Sequence, residues 1–215
     1  SANWFYSFGS ISLSDMRLFD DDGDGVKELF IGTWRLFGFS VYRYDPSYDS
    51  WSRGAEYGIT SFNNGGVHQL VPFNGRLWIL TYNFAEGFYV YASDPQNPGE
   101  GITSNADWKA VASGGFIDPG NYYAWEGIVY PVGENGEELP ESCLFIGTFN
   151  LGKGFCMYSV TKDNEWAVEV GTGSSVPNGI TSSRNYGVRT FAIYDGKLVL
   201  GCAGMLKGMD VFLAE

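Results

Sequence analysis

A short loop near the start of the chain carries four acidic side chains with the spacing of metal ligands. They are Asp20, Asp22, Asp24 and Glu28, at positions 1, 3, 5 and 9 of the loop. Gly25 follows the third aspartate, where the chain must turn sharply. Hard cations such as calcium prefer six to eight oxygen ligands. In a tight loop, the carboxylates of alternate residues and a main-chain carbonyl supply several of them. The pattern therefore predicts a Ca²⁺ site formed by the four carboxylates and the carbonyl of Val26, since clustered carboxylates repel one another unless a cation neutralises them.

An apolar segment follows this loop and recurs three times. The copies are 29–33 (LFIGT), 77–81 (LWILT), 144–148 (LFIGT) and 198–202 (LVLGC). Each is followed by a second motif, at 38–42 (GFSVY), 87–91 (GFYVY), 154–158 (GFCMY) and 208–212 (GMDVF). Internal repeats made of short strands are typical of propeller blades.

The repeats predict an all-β chain that forms a single β-propeller domain over residues 1–215, with four blades of four antiparallel strands. The blades are expected at 11–51, 63–111, 122–170 and 184–215. The last copy lacks a fourth strand, and the segment 1–9 around Trp4 is similar to the outer-strand segments around Trp51, Trp108 and Trp166. We therefore expect the N-terminal strand to complete the last blade. A fragment of a larger ring, or half of a ring built from two chains, is the alternative.

The acidic loop and the strand after it resemble the calcium-binding repeats of integrin-type (FG-GAP) propellers over about 15 residues. In that family Asp-x-Asn/Asp-x-Asp-Gly-x-x-Asp precedes an apolar strand that ends in glycine. The chain departs from the pattern at Glu28, where the family has aspartate, and it carries the loop in one blade of four. The resemblance implies a propeller in which calcium supports one hairpin.

Charge and composition restrict the partners and the location. The net charge of −12 argues against nucleic acid, whose phosphates require a basic face. No apolar run is long enough to span a bilayer. The chain has three cysteines, Cys143, Cys156 and Cys202, so at least one of them has no disulfide partner within the chain. We expect these cysteines to be small buried residues, and a single disulfide between two of them is the alternative. Together with the calcium loop, this composition predicts an extracellular, cell-surface or periplasmic protein.

Aromatic side chains concentrate in loops that a propeller places at one end of the ring. The predicted ligand face consists of Trp34, Phe37, Tyr82, Phe84, Tyr122, Tyr123, Trp125, Phe149 and Tyr186. Large rigid rings of this kind anchor partners and stack on sugars. Part of the set could equally pack over the core.

Catalysis has less support in the sequence. The one histidine, His68, falls on a predicted inner strand, where a channel-lining role is expected rather than that of a base. Asp15 and Glu126 are the carboxylates that could face the ring axis as a glycosidase pair. We therefore predict a non-enzymatic, calcium-stabilised binding or adhesion module for carbohydrate or protein. A glycoside hydrolase-like enzyme and a self-associating component of a surface assembly are the alternatives.

Overall fold

The structure is a computed structural model that describes residues 10–205 and 208–214. These residues form fifteen β-strands and two short 3-10 helices, with no α-helix among them. The strands are β1 (Ser10–Phe19), β2 (Glu28–Arg35), β3 (Val41–Asp45), β4 (Ser50–Ala55), β5 (Gly66–Phe73), β6 (Arg76–Tyr82), β7 (Val90–Ser93), β8 (Trp108–Ala112), β9 (Tyr123–Val132), β10 (Glu138–Phe149), β11 (Met157–Val160), β12 (Trp166–Val170), β13 (Asn185–Tyr194), β14 (Lys197–Gly204) and β15 (Val211–Leu213). The predicted all-β class is confirmed.

The strands are paired in four consecutive antiparallel meanders, which we call repeats 1 to 4. Repeat 1 is β1–β4, repeat 2 is β5–β8, repeat 3 is β9–β12 and repeat 4 is β13–β15. Neighbouring repeats are joined by single bridge pairs, Trp34 with Gly66, Tyr82 with Tyr123, and Phe149 with Gly187. The whole is one open sheet, so a closed ring is not confirmed. The predicted closing strand at 1–9 lies outside the described residues.

Three apolar clusters lie between successive repeats. The first joins repeats 1 and 2 through Phe30, Val41 and Val67. The second joins repeats 2 and 3 through residues such as Val90 and Leu144. The third joins repeats 3 and 4. Repeats 2 and 3 are apolar on both faces because each is packed between two neighbours, and burial at these junctions supplies most of the stabilisation.

Each first strand contains a β-bulge at the same position. The register skips one residue in β1, β5, β9 and β13, which leaves Ser14, His68, Trp125 and Arg189 unpaired. A bulge bends the strand and re-aims the extra side chain. Because each bulge adds one residue to its strand, apolar residues before and after the bulge lie on the same face of the sheet.

The short hairpins follow the sequence signals. Asn74 and Gly75 both have positive φ, 53° and 65°, as do Asp195 and Gly196, 51° and 69°. Asn-Gly and Asp-Gly are the favoured pairs for such two-residue turns. The two expanded hairpins, at residues 20–27 and 133–137, occupy the corresponding places in repeats 1 and 3.

Candidate binding face and metal site

The acidic loop folds around its own carboxylates. The Gly23 and Gly25 amides donate to Asp20 Oδ1 and Oδ2 at 2.8 and 3.0 Å. The Val26 amide donates to Asp24 Oδ1 at 2.7 Å. Both glycines have positive φ, 80° and 86°, which glycine adopts at the least steric cost. Main-chain donors within the loop therefore hold Asp20 and Asp24, while the Arg43 side chain and the Ile102 amide hold Asp21 from outside it.

Three of the predicted ligands lie together. Carboxylate oxygens of Asp20, Asp22 and Glu28 are all within 4.8 Å of one another. Asp24 does not belong to this group and faces the Val26 amide instead. A surface pocket of about 580 Å³ borders the loop at Asp22 and Asp24, which gives solvent a path to the carboxylates.

Glu28 has the features expected of a ligand without its ion. It is fully buried, and Oε2 accepts the Asp21 amide at 3.1 Å. Oε1 has no hydrogen-bond partner among the described residues. Burial, and then a hydrogen bond with the Asp21 side chain, raises the pKa of Glu28 to about 7, while the Asp21 amide opposes this shift. A buried carboxylate oxygen without a partner is costly, and a hard cation between it, Asp20 and Asp22 would satisfy it.

A buried arginine neutralises the remaining acids, which the sequence interpretation did not identify. Arg43 Nη2 lies 2.9 Å from Asp21 Oδ1, and Nη1 lies 2.9 Å from Asp45 Oδ2. Its distances to Asp22 and Glu28 are longer, 3.4 and 3.8 Å. Arg43 therefore forms its short pairs with Asp21 and Asp45, whereas Asp22 and Glu28 of the triad lie farther from its guanidinium. The sequence signal for this buried arginine is a charged side chain in β3, at the position that Ala92 occupies in the second repeat.

The predicted aromatic face forms at the opposite end of the strands. Tyr82 lies with its ring centroid 4.6 Å from Trp34 and 5.4 Å from Phe84. Tyr123 lies 5.3 Å from Phe84 and 4.8 Å from Phe149. Tyr122 joins the network through Phe84, Trp125 through Tyr123, and Tyr186 through Phe149. We call these eight residues the aromatic face.

The ninth predicted residue lies apart from this network. Phe37 stacks on Phe62 with centroids 5.6 Å apart and planes 6° from parallel, and both rings are exposed. Within the aromatic face, Phe84 is exposed and Tyr82 is buried. The Tyr82 hydroxyl donates to the Arg35 carbonyl at 2.8 Å, which fixes this buried ring in place against the rings around it.

Asparagine side chains fix the loops that carry these rings. Asn64 donates to the Gly58 carbonyl at 2.9 Å, and Asn83 donates to Asn64 Oδ1 at 3.0 Å. The next repeat has the same arrangement, with Asn150 donating to Asn121 Oδ1 at 3.0 Å. The recurring signal, which sequence reasoning missed, is glycine followed six residues later by asparagine. It occurs at 58–64 (GITSFNN), 115–121 (GFIDPGN) and 179–185 (GITSSRN).

Three bulge residues form a row that includes Trp125 of the aromatic face. The ring centroids of His68 and Trp125 are 6.2 Å apart, and the Arg189 guanidinium carbon lies 4.7 Å from the Trp125 centroid. His68 Nε2 and Trp125 Nε1 are buried without a hydrogen-bond partner among the described residues. Burial, and then the charge of Arg189, lowers the pKa of His68 to about 4. His68 is therefore neutral near pH 7, and its ring contacts are with aromatic side chains.

The two candidate axial acids have different environments. Asp15 Oδ2 accepts the Leu70 amide at 2.8 Å and lies 3.6 Å from Arg17 Nε. Glu126 borders a pocket of about 400 Å³ that residues of all four first strands line. The Glu126 carboxylate forms no hydrogen bond or ion pair with another described residue, although its main chain pairs with Gly147. Burial and the nearby charge of Asp15 raise the pKa of Glu126, while Arg17 and Arg189 oppose this shift.

The comparisons with known proteins do not assign a family. The chain matches no protein-family model and no curated protein. In the part of the chain that the structure describes, no helix has the length and hydropathy required to cross a bilayer. Cys143, Cys156 and Cys202 are free thiols, and the last two are buried as small apolar residues.

Proposed function

We propose that the chain is a four-bladed β-propeller that acts as a non-enzymatic, calcium-stabilised binding or adhesion module. Support for the propeller comes from the four meanders and from their first strands. β1 contacts β5, β5 contacts β9, and β9 contacts β13. The same four strands line one pocket, as strands around a common axis do.

The observation that carries the function is the aromatic face. Its residues come from β2, β6, β9, β10, β13 and the loops beside them, yet they form one continuous network of ring contacts. A cluster of rings that is partly open to solvent indicates a recognition surface. Sugar rings and apolar protein side chains both stack on such surfaces, so the ligand class is carbohydrate or protein.

Binding through this face is tested with the exposed ring Phe84. A glycan array and a panel of surface proteins identify a ligand, and calorimetry then compares wild type with Phe84→Ala. We expect at least a tenfold loss of affinity, because a central aromatic anchor contributes about 2 kcal/mol or more. Tyr48→Ala is the matched control, since Tyr48 is an exposed ring in the turn between β3 and β4. Equal binding by both variants would overturn the proposal for this face.

Calcium is proposed as the ion of the acidic loop, held by Asp20, Asp22 and Glu28, with Asp24 and the Val26 carbonyl as further ligands that would turn inward on binding. The ion would neutralise the triad and fix the β1–β2 hairpin; no chemical step is assigned to it. An extracellular, cell-surface or periplasmic location fits this proposal, because extracellular modules bind calcium at the concentrations found there.

One observation favours a second candidate, a glycoside hydrolase-like enzyme. The Glu126 carboxylate lacks a hydrogen-bond partner among the described residues, has a raised pKa and borders the pocket that Arg17 and Gln69 also line. A carboxyl group with a raised pKa near an ionised one is the arrangement of an acid pair. Turnover of a glycoside that disappears in both Glu126→Gln and Asp15→Asn would establish this function. Turnover that persists in Glu126→Gln would exclude it.

A further inference from the structure

One arginine adjoins the aromatic face without a carboxylate partner. The Arg189 guanidinium carbon lies 4.7 Å from the centroid of the Trp125 ring, and Arg189 is exposed. Its guanidinium forms no hydrogen bond and no ion pair with a described residue. A guanidinium is attracted to the face of an aromatic ring by its charge, so this contact needs no acceptor oxygen. The N–H donors of Arg189 therefore remain available to a ligand.

An arginine without an ion pair stands out in a chain this acidic. The sequence has 25 aspartates and glutamates but only 13 lysines and arginines. Arginines elsewhere in the described chain form ion pairs with these acids: Arg17, Arg43, Arg53 and Arg76. Burial raises the pKa of Glu126, and the charge of Arg189 opposes this rise, yet the two side chains form no ion pair. The charge of Arg189 is therefore not neutralised at short range by the described chain.

Three tyrosine hydroxyl groups of the aromatic face also lack a partner. The Tyr82 hydroxyl is held by a main-chain carbonyl, whereas those of Tyr122, Tyr123 and Tyr186 form no hydrogen bond with a described residue. None of the three is among the buried polar atoms without a partner, so solvent reaches each of them. The Tyr123 and Tyr186 ring centroids lie 5.5 and 6.4 Å from that of Trp125. Rings and open hydroxyl groups on one surface match a ligand with apolar ring faces and hydroxyl edges, as sugars have.

These contacts point to a class of ligand. We propose that the aromatic face binds an acidic carbohydrate, whose carboxylate pairs with the Arg189 guanidinium while its ring stacks on the neighbouring aromatic side chains. Uronic and sialic acids carry the carboxylate directly on the sugar ring, so a sugar stacked beside Trp125 presents this group to the adjacent guanidinium. Guanidinium and carboxylate form paired, charge-assisted hydrogen bonds.

A carboxylate of a protein partner would satisfy Arg189, but it would leave the three open tyrosine hydroxyl groups unexplained. The sugar accounts for the cation, the rings and the hydroxyl groups together. The inference rests on the proposed binding function and narrows its ligand from carbohydrate or protein to sugars that carry a carboxylate.

The first test compares acidic glycans with neutral counterparts. A glycan array should retain acidic glycans, and calorimetry then compares oligogalacturonate with its methyl ester and sialyllactose with lactose. The experiment uses about 0.15 M salt, which screens the long-range repulsion from the net charge of −12. An acidic probe that binds should do so about tenfold or more tightly than its neutral counterpart, because the counterpart lacks the charge-assisted hydrogen bonds. Equal affinities within a pair, or an array that retains neutral glycans alone, would overturn the proposal.

The second test removes the cation. Arg189→Gln should lower the affinity for the acidic probe about tenfold or more and leave that for the neutral counterpart unchanged, so the preference for the acid disappears. Lys109→Gln is the matched control, since it removes the same charge from an exposed position in β8 and should keep the preference. Far-UV circular dichroism checks that both variants are folded. An Arg189→Gln protein that still prefers the acidic probe would contradict the assignment.

Phe84→Ala separates the failure of this inference from the failure of the proposed function. If Phe84→Ala weakens glycan binding while Arg189→Gln does not, the aromatic face is the binding surface and the acidic-sugar assignment is wrong. If neither variant weakens binding, the proposed face is wrong and the inference falls with it. A face that binds a protein but no glycan would also reject the inference and would leave the binding function in place.

Discussion

His68 shows how one partly buried side chain couples stability to pH. Its ring contacts Trp34, Tyr82, Tyr123 and Trp125, and Nε2 is shut off from solvent. The folded protein therefore holds the pKa of His68 at about 4, below its ordinary 6.5. Between these values the unfolded chain binds a proton that the folded chain does not, so stability is full above about pH 6.5 and falls as the pH decreases through this window.

Replacing this histidine should remove that part of the pH dependence. From about pH 7 to about pH 4.5 the wild type should lose about 2 kcal/mol through His68, since one pKa unit corresponds to about 1.4 kcal/mol. The loss should be absent in His68→Phe. Urea unfolding at both pH values measures it, and the difference between the two proteins isolates His68 from the other titrating groups. Parallel pH profiles would contradict the assignment.

Arg43 makes a second residue-scale prediction. Because its guanidinium neutralises the buried Asp21 and Asp45, Arg43→Gln should leave buried carboxylates uncompensated. We expect a loss of about 3–5 kcal/mol in the free energy of unfolding. The control is Arg53→Gln, whose pair with Glu56 is solvent-exposed and should contribute less than about 1 kcal/mol. Equal losses in the two variants would show that burial of the Arg43 pairs has no effect.

At the scale of single residues, the sequence indicated that acidic side chains cluster in this loop, but not which of them pair with Arg43. The spacing predicted four carboxylate ligands because alternation along a tight loop is a local property, and Asp20, Asp22 and Glu28 lie together whereas Asp24 does not. The pairing of Asp21 with Arg43 spans 22 residues and depends on the β2–β3 register, which no local pattern contains. The buried state of Tyr82 was unpredictable for the same reason, since its hydroxyl contacts Arg35 of the preceding repeat.

At the scale of the element, the β1–β2 hairpin should depend on calcium. With calcium about a hundredfold above its dissociation constant, binding contributes about 2.7 kcal/mol. For a chain of this size the melting temperature should then fall by about 5–10 °C on chelation with EDTA. Scanning calorimetry measures the change, and added calcium should reverse it.

Two variants show whether this response belongs to the loop. Glu28→Gln should abolish the calcium-dependent part of the melting temperature, because it removes the charge on the buried oxygen that lacks a partner among the described residues. Glu141→Gln removes an exposed carboxylate of β10 and should keep the response. A melting temperature of the wild type that is insensitive to EDTA would reject the calcium assignment.

Strand positions were largely predictable, because alternation and turn residues are local. The repeated apolar segments 29–33, 77–81, 144–148 and 198–202 lie within β2, β6, β10 and β14, and Asn-Gly and Asp-Gly form two-residue turns. The loops before the first strands were not foreseen. They depend on consecutive residues with positive φ, Gly58 with Ile59 and Gly179 with Ile180, and isoleucine is not a residue from which that conformation is inferred.

At the scale of the whole molecule, glycines in the second strands set the distance between repeats. A Cβ built on Gly32 would lie 2.6 Å from Val67 Cγ1 in the next repeat, and one on Gly147 would lie 2.3 Å from Val188 Cβ. These positions recur in the LFIGT motifs. The sequence therefore contained the glycine signal, although the close approach that requires it is visible only once the repeats are packed.

Gly32→Ala should consequently destabilise the first junction. The added methyl group must displace a fully buried valine, and overpacking of this kind costs about 1–3 kcal/mol. Gly99→Ala is the matched control, since a methyl group added there would have no neighbouring atom within 4 Å. Denaturant unfolding compares the two, and an unchanged stability of Gly32→Ala would show that the repeats adjust their spacing freely.

The number of repeats was readable from the sequence, but the closure of the ring was not. Each LFIGT-like copy marks one repeat, whereas closure depends on the angle between neighbouring repeats, which accumulates over contacts far apart in the chain. The structure accordingly confirms the antiparallel strands and leaves the sheet open.

The packing of each repeat against only its immediate neighbours has a consequence for how such a chain changes over evolutionary time. A tandem duplication of one repeat introduces a unit whose two sides already match those beside it. Length can then vary by whole units without new contacts having to arise by point mutation, while the loops at either end diverge toward separate tasks.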